Sequence, residues 1–139
     1  MIFETHAHYD DKMFNEDRES LLDGMQEAGI GRIVNIGADL ASTASSIALA
    51  DQYPFVYAAA GVHPSDAGQL NEQTFQWLGE QAEHEKVEAI GEIGLDYYWE
   101  KDPKARANQQ YWFRRQMNLA REKKLPIVIH SRDAAKDTL

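Results

Sequence analysis

The chain contains no cysteine, so neither a disulfide framework nor a thiolate metal site is available, and any metal must be held by nitrogen and oxygen donors. No apolar run approaches the roughly 20 residues of a membrane-spanning helix, so no membrane partner is expected. The opening residues, Met1 to His6, lack the basic start and apolar stretch of a secretion signal, which makes the cytoplasm the expected compartment. Basic residues are also scarce: fourteen Lys and Arg face twenty-three Asp and Glu, for a net charge of -9. A protein whose main task is gripping DNA by its phosphates carries the opposite balance. A nuclease role therefore requires bound cations that invert the local field.

What is present describes a folded unit. The hydrophobic fraction is 43% and the aromatic fraction 10%, enough for a packed interior, and 139 residues fall within the size of one domain, taken as residues 1–139. Repeats, linkers and low-complexity tracts are lacking. Short apolar strands alternate with helical stretches: strands at Ile2–Thr5, Ile33–Ile36, Phe55–Val62, Val87–Ile90 and Ile127–His130, and helices at about Asn15–Ala28, Leu40–Asp51, Asn71–Glu85 and Lys104–Lys123, with Asp133 opening a possible fifth. The inward stripes read as Leu21, Leu22, Met25 and Ala28, then Phe75, Leu78 and Ala82, then Tyr111, Phe113, Met117 and Ala120. Alternation of this kind requires parallel strands with crossovers, so the fold class is α/β, either an open doubly wound sheet or part of a (β/α) TIM-type barrel of about five strands and four helices. The pattern alone does not choose between them.

Four of the five histidines fall at or just past a strand C-terminus: His6, His8, His63 and His130. His84, flanked by Glu83 and Glu85 on the third helix, is expected to be solvated. Both folds build their sites at that end of the strands. His6 and His8, at i and i+2 in extended backbone, point to one side and suit a single cation; the alternative is a turn with two solvated histidines. Glu92, in Gly91-Glu92-Ile93-Gly94, follows an apolar strand where a carboxylate needs a partner, either a cation, or two that the carboxylate bridges, or a cap or salt bridge within the fold. His130 ends the most apolar strand and is either a rigid ligand or a core histidine bonded to a carbonyl. His63, before Pro64, faces substrate or serves structure on equal terms.

Taken together, Thr5-His6-Ala7-His8, Gly61-Val62-His63-Pro64, Gly91-Glu92-Ile93-Gly94-Leu95-Asp96-Tyr97 and Ile129-His130-Ser131-Arg132-Asp133-Ala134 resemble the TatD-like metal-dependent deoxyribonucleases along the whole chain, with Phe113, Gln116, Leu119 and Ala120 resembling the helix before strand 5. The resemblance implies a (β/α) barrel related to the amidohydrolases. It also implies two divalent ions, of which Mg, Mn, Zn, Co and Ni all suit such donors: His6 and His8 bind one, Glu92 bridges both, and His130 binds the second. Catalytic roles fall to Glu92 and His63, with His63 and Arg132 contacting substrate phosphate. Hydrolysis of DNA phosphodiesters by metal-activated water is the implied reaction. The alternatives are an amidohydrolase acting on another ester or amide and a non-catalytic half barrel.

The family's barrel runs to about 250 residues and takes a further histidine and an aspartate from later strands, so residues 1–139 are expected to be its N-terminal portion and weakly active or inactive alone. The full-length form is expected to be a monomer. In this portion the first and fifth strands are open edges, and Val34, Val56 and Val128 line an inner face short of partners. Self-association, or pairing with a C-terminal fragment, is the expected consequence.

Overall fold

The computed structural model describes residues 1–139. Five strands, β1 (Ile2–Ala7), β2 (Ile30–Ile36), β3 (Val56–Ala60), β4 (Val87–Asp96) and β5 (Ile127–Arg132), form one sheet. Every pairing is parallel and the spatial order is β1-β2-β3-β4-β5, the order of the chain. That order decides between the two candidate folds: a doubly wound sheet reverses direction at a switch point and carries helices on both faces, whereas a sheet wound in one direction keeps its helices on one face and curls about the other.

The packing follows that logic. Ile33, Val56, Ala58, Ile90, Ile93 and Leu95 meet Leu22, Ile47, Leu78, Phe113 and Leu119 in the principal core, between sheet and helices. The opposite, concave face holds a smaller cluster of Val34, Ile36, Ala59 and Ala89 with Tyr57 and Val128 against it. Val34 and Val128 thus lie on the inner face as expected. Val56 does not: strand side chains alternate, and with Tyr57 and Ala59 facing in, Val56 points to the helices and is fully buried there. Near the other end of this concave face, Phe3, Arg32, Val34, Tyr57 and Glu88 border a cleft of about 250 Å³. The two outer strands carry exposed apolar side chains, Ile2 and Phe3 on β1 and Ile127 and Ile129 on β5.

Helices α2 (Leu40–Gln52) and α4 (Pro103–Lys123) match the sequence pattern to within a residue or two. Both α2 and α3 (Glu72–Gln81) begin with reciprocal capping, Asp39 with Ser42 and Asn71 with Thr74, which satisfies amide groups that a helix start leaves orphaned. The first helix is much shorter than its apolar stripe suggests: α1 spans only Arg18–Asp23. Arg18 donates to the carbonyls of Tyr9, Asp10 and Asp11 and to the Asn15 side chain, so the residues before it are held as a loop, and Gly24 ends the helix. Ala28 is exposed. Helix α3 ends at Gln81 because His84 turns the chain, accepting from the Lys86 amide and pairing with Asp51 at 3.2 Å; His84 is therefore neither helical nor simply solvated. On α4 the inward stripe is Gln109, Trp112, Phe113, Gln116, Leu119 and Ala120. Tyr111 is 49% exposed, since two stripe positions belong to glutamines, which hydropathy does not mark as buried. The short α5 (Ala135–Thr138) closes the chain.

The curl brings β3, β4 and β5 unusually close. A Cβ on Gly61 would lie 2.7–2.8 Å from the backbone of Gly91, and one on Gly91 would lie 2.6 Å from Val128 Cβ. Gly61→Ala is therefore expected to destabilise the chain by about 1–3 kcal/mol, read from urea unfolding, whereas Gly68→Ala, with no neighbour within 4 Å of its added Cβ, should leave the midpoint nearly unchanged.

Candidate metal centre

The C-terminal ends of the strands deliver the chemistry. His6 lies inside β1 and His8 one residue past it, with Ala7 between them buried toward the helices, so both imidazoles face the mouth of the curl. Their ring centroids are 5.1 Å apart. Glu92 belongs to β4 itself, which continues through Asp96 rather than ending at Ile90. Its carboxylate lies 3.5 Å from His6 Nε2 on one side and 3.2 Å from His130 Nδ1 on the other. His63 follows β3, and its ring centroid is 4.1 Å from that of His130.

Two sets of donor atoms result. Those of His6, His8 and Glu92 lie within 4.8 Å of one another, as do those of His63, Glu92 and His130. Glu92 is common to both. Its side chain is only 14% exposed and its ion-pairing neighbours are histidines, with no lysine or arginine beside it. A carboxylate this enclosed, with no lysine or arginine to pair it, calls for a counter-charge, and a cation would supply it. The donors, oxygen and imidazole nitrogen converging from four strand ends, fit divalent metal.

Hydrogen bonds set the proton on two of the rings. His8 Nδ1 lies 3.0 Å from the Ile36 carbonyl, which can only accept, so Nδ1 carries hydrogen and, in the neutral ring, Nε2 keeps its lone pair. His63 is the reverse: its Nδ1 accepts from the Ser65 amide at 3.1 Å, so in the neutral ring Nε2 is a donor. Burial first, and the neighbouring His130 second, hold His63 below the ordinary histidine value, against the pull of Glu92, Asp66 and Asp96. It is thus neutral at pH 7. Arg132 joins neither donor set; exposed at the end of β5, its guanidinium rests on the Tyr98 ring, 4.0 Å from the centroid.

Several residues around the site are assigned no role from the sequence. Asp96, 2% exposed, places Oδ2 3.0 Å from His130 Nε2. Burial pushes its carboxyl up, but hydrogen bonds from His130 and from the Trp99 and Tyr98 amides outweigh that and hold it below the usual value. Gln109 donates to the Asp96 carbonyl and accepts from its amide, and Gln116 does the same for Val62, the residue before His63. Their spacing of seven on one helix face is the signal that marks them. Behind His8, fully buried Asn35 accepts from the Tyr9 amide and donates to Asp10 and Ser46.

Comparison with known proteins identifies the family. The family model described as TatD related DNase matches residues 3–139. The chain belongs to that family. Among TatD relatives, the uncharacterized metal-dependent hydrolase YabD of Bacillus subtilis is 42% identical over 139 residues, covering 100% of this chain and 54% of that protein. The 3'-5' ssDNA/RNA exonuclease TatD of Cronobacter sakazakii is 32% identical over 133 residues, covering 96% of this chain and 50% of that one. The crystal structure of YJJV, a TatD homolog from Escherichia coli K12, superimposes with a TM-score of 0.87 at 32% identity, over 99% of this chain and 53% of that one. A TatD family hydrolase from Entamoeba histolytica shares the fold, with a TM-score of 0.86. The chain spans about half the length of the TatD relatives it matches.

The Asn35 brace yields a prediction. Asn35→Leu strands the Tyr9 amide and the buried side of Asp10, and is expected to cost about 1–3 kcal/mol. Urea unfolding of the variant beside Ser45→Ala, which removes only an exposed bond to Asp10, checks it: the loss should be confined to Asn35→Leu.

Proposed function

We propose that this chain supplies the N-terminal ligands of a two-metal phosphodiesterase that hydrolyses nucleic acid. The observation that carries the proposal is the pair of donor sets sharing Glu92, since two-metal hydrolysis needs ions about 3.5–4 Å apart and a bridging carboxylate spans that distance. His6, His8 and Glu92 would hold one ion, Glu92 and His130 the other. When bound, such ions lower the pKa of water toward neutrality and offset the charge of the phosphate.

The chain's own residues do the rest. His8 presents Nε2 because Ile36 occupies Nδ1. His63, neutral with hydrogen on Nε2, is suited to donate to a phosphate oxygen rather than to ligate, which supports a substrate role although it lies within reach of the second donor set. Arg132, two residues beyond His130, brings a guanidinium to the same strand end. The overall charge of -9 repels polyanions, so binding of nucleic acid depends on the metals. The relatives named 3'-5' ssDNA/RNA exonucleases make single-stranded nucleic acid the substrate class to test first. Magnesium, manganese, zinc, cobalt and nickel all suit the donors. A cytoplasmic location goes with this reading; no helix is long and apolar enough to cross a membrane.

Calorimetric titration with Mn²⁺ or Zn²⁺, together with hydrolysis of short single strands, plasmid and bis(4-nitrophenyl) phosphate, tests the proposal. Glu92→Ala is expected to weaken metal uptake at least about tenfold and abolish metal-dependent cleavage. His84→Ala, paired with Asp51 away from the mouth, should change cleavage by no more than about threefold. A wild-type chain that takes up no divalent metal overturns the proposal, and uptake without cleavage assigns a metal-binding half barrel.

The edges of the sheet concern partners. Ile2 and Phe3 are 58% and 56% exposed, and Ile127 and Ile129 38% and 46%, surface that other strands or a second copy of the chain would cover. Light scattering behind size exclusion should therefore show concentration-dependent association of this chain, reduced in Ile129→Lys; a strict monomer at all concentrations goes against it.

A further inference from the structure

We propose that Asp96 is a positioning residue that fixes the proton of His130 on Nε2 and so presents Nδ1, beside Glu92, as the metal-binding nitrogen. The inference rests on His130 being a ligand, and it specifies which atom serves and what selects it. A histidine can ligate through either ring nitrogen, and the choice is made by whatever the other nitrogen bonds. In His130 the two nitrogens have different neighbours: Nδ1 lies 3.2 Å from Glu92 Oε1 and Nε2 lies 3.0 Å from Asp96 Oδ2. Only the Glu92 side belongs to a donor set; Asp96 is in neither.

Asp96 is built to stay where it is. Its side chain is 3% exposed, and Oδ1 accepts from the amides of Tyr98 and Trp99 at 3.1 and 3.3 Å. Its own backbone is gripped at both ends by Gln109. With Oδ1 occupied by the turn, Oδ2 remains for His130 alone. An ionised carboxylate is purely an acceptor, and His130 has one on each side; a metal held beside Glu92 would take the Nδ1 lone pair, which leaves the hydrogen on Nε2 against Asp96, whose negative charge strengthens Nδ1 as a donor to metal. A carboxylate that served only to cap the turn would need Oδ1 and no contact with His130.

The test separates positioning from simple support of the loop. Zn²⁺ titration by calorimetry is expected to show an affinity loss of about 10–100-fold for Asp96→Ala and an intermediate loss for Asp96→Asn, which keeps an acceptor oxygen without the charge. Arg106→Ala removes the bonds to the Glu100 and Tyr97 carbonyls that hold the loop after Asp96 without touching Asp96 or His130, and should remain within about threefold of wild type. Should Asp96→Ala fail to fold, Asp96→Asn against Arg106→Ala carries the comparison. Equal losses in the Asp96 and Arg106 variants, or wild-type affinity in Asp96→Ala, overturn the proposal. Long-range proton–nitrogen NMR of the metal-free chain gives a readout independent of metal: hydrogen on His130 Nε2 in wild type and its loss or exchange broadening in Asp96→Ala support the assignment, and a bare Nε2 in wild type overturns it. Failure of the wild type to bind Zn²⁺ strikes the metal-centre proposal instead, so the two failures are told apart.

Discussion

Glu92 can stand between two groups of histidines only because three backbones meet beneath it without side chains in the way. Gly61 on the exit of β3 presses against Gly91 of β4, and Gly91 presses against Val128 of β5, at separations a methyl group would violate. This close approach lets the sheet curl at the level of the site, and the curl aims consecutive strand ends at one point rather than along a line. Gly94 extends the constraint: at φ +150° it adopts backbone that side-chain-bearing residues rarely take, and a Cβ there would run into the His130 carbonyl. Glycine in β4 thus sets the distance between Glu92 and His130.

From that geometry the histidines acquire different roles through their neighbours. The Ile36 carbonyl takes a hydrogen from His8, the Ser65 amide gives one to His63, and the Asp96 carboxylate faces His130. Three chemically identical rings thereby meet three different hydrogen-bonding partners. Under the proposed function this pattern would let a chain of strongly negative charge prepare a place for both a cation and a phosphate, with ring lone pairs and Glu92 for the first and His63 and Arg132 for the second.

Much of the fold was legible because its periods are strong. The alternation of apolar strands with helices predicted all five strands, and the clustering of His6, His8, His63 and His130 at strand ends, with Glu92, anticipated which side chains share a mouth. The order of the strands was not legible, since connection lengths are alike in barrels and doubly wound sheets; the structure, not the pattern, shows each strand beside its sequence neighbour. The side of the sheet on which Val56 lies depends on the phase of β3, and because every residue from Val56 to Ala60 is apolar, hydropathy does not mark which alternate set faces the helices. The shortness of α1 came from Arg18 serving carbonyls of the preceding loop, a competition between side chain and helix that propensity does not see. Asp96 stood in a quoted motif without a role because a carboxylate's partner lies 34 residues away.

The two glutamines of α4 explain why polar residues occupy a buried stripe. At the mouth the strands diverge into loops, and backbone groups there lose the partners a ladder would give them; leaving them bare inside the fold would cost about 1–3 kcal/mol each. A primary amide offers one donor and one acceptor in the same plane, the complement of a strand residue's carbonyl and amide. Gln109 meets Asp96 in this way and Gln116 meets Val62, each acting as one residue of a missing neighbouring strand. Seven residues of helix separate them by about 10.5 Å, and the helix is rigid over that length. The turn that carries Asp96, and through it faces His130, is therefore tied to the same body as the residue that precedes His63. Packing of Phe113, Leu119 and Ala120 into the principal core anchors that body, so the spacing between the proposed substrate-facing ring and the proposed ligand ring is governed by about two turns of one helix, and the loops between them need supply none of the precision.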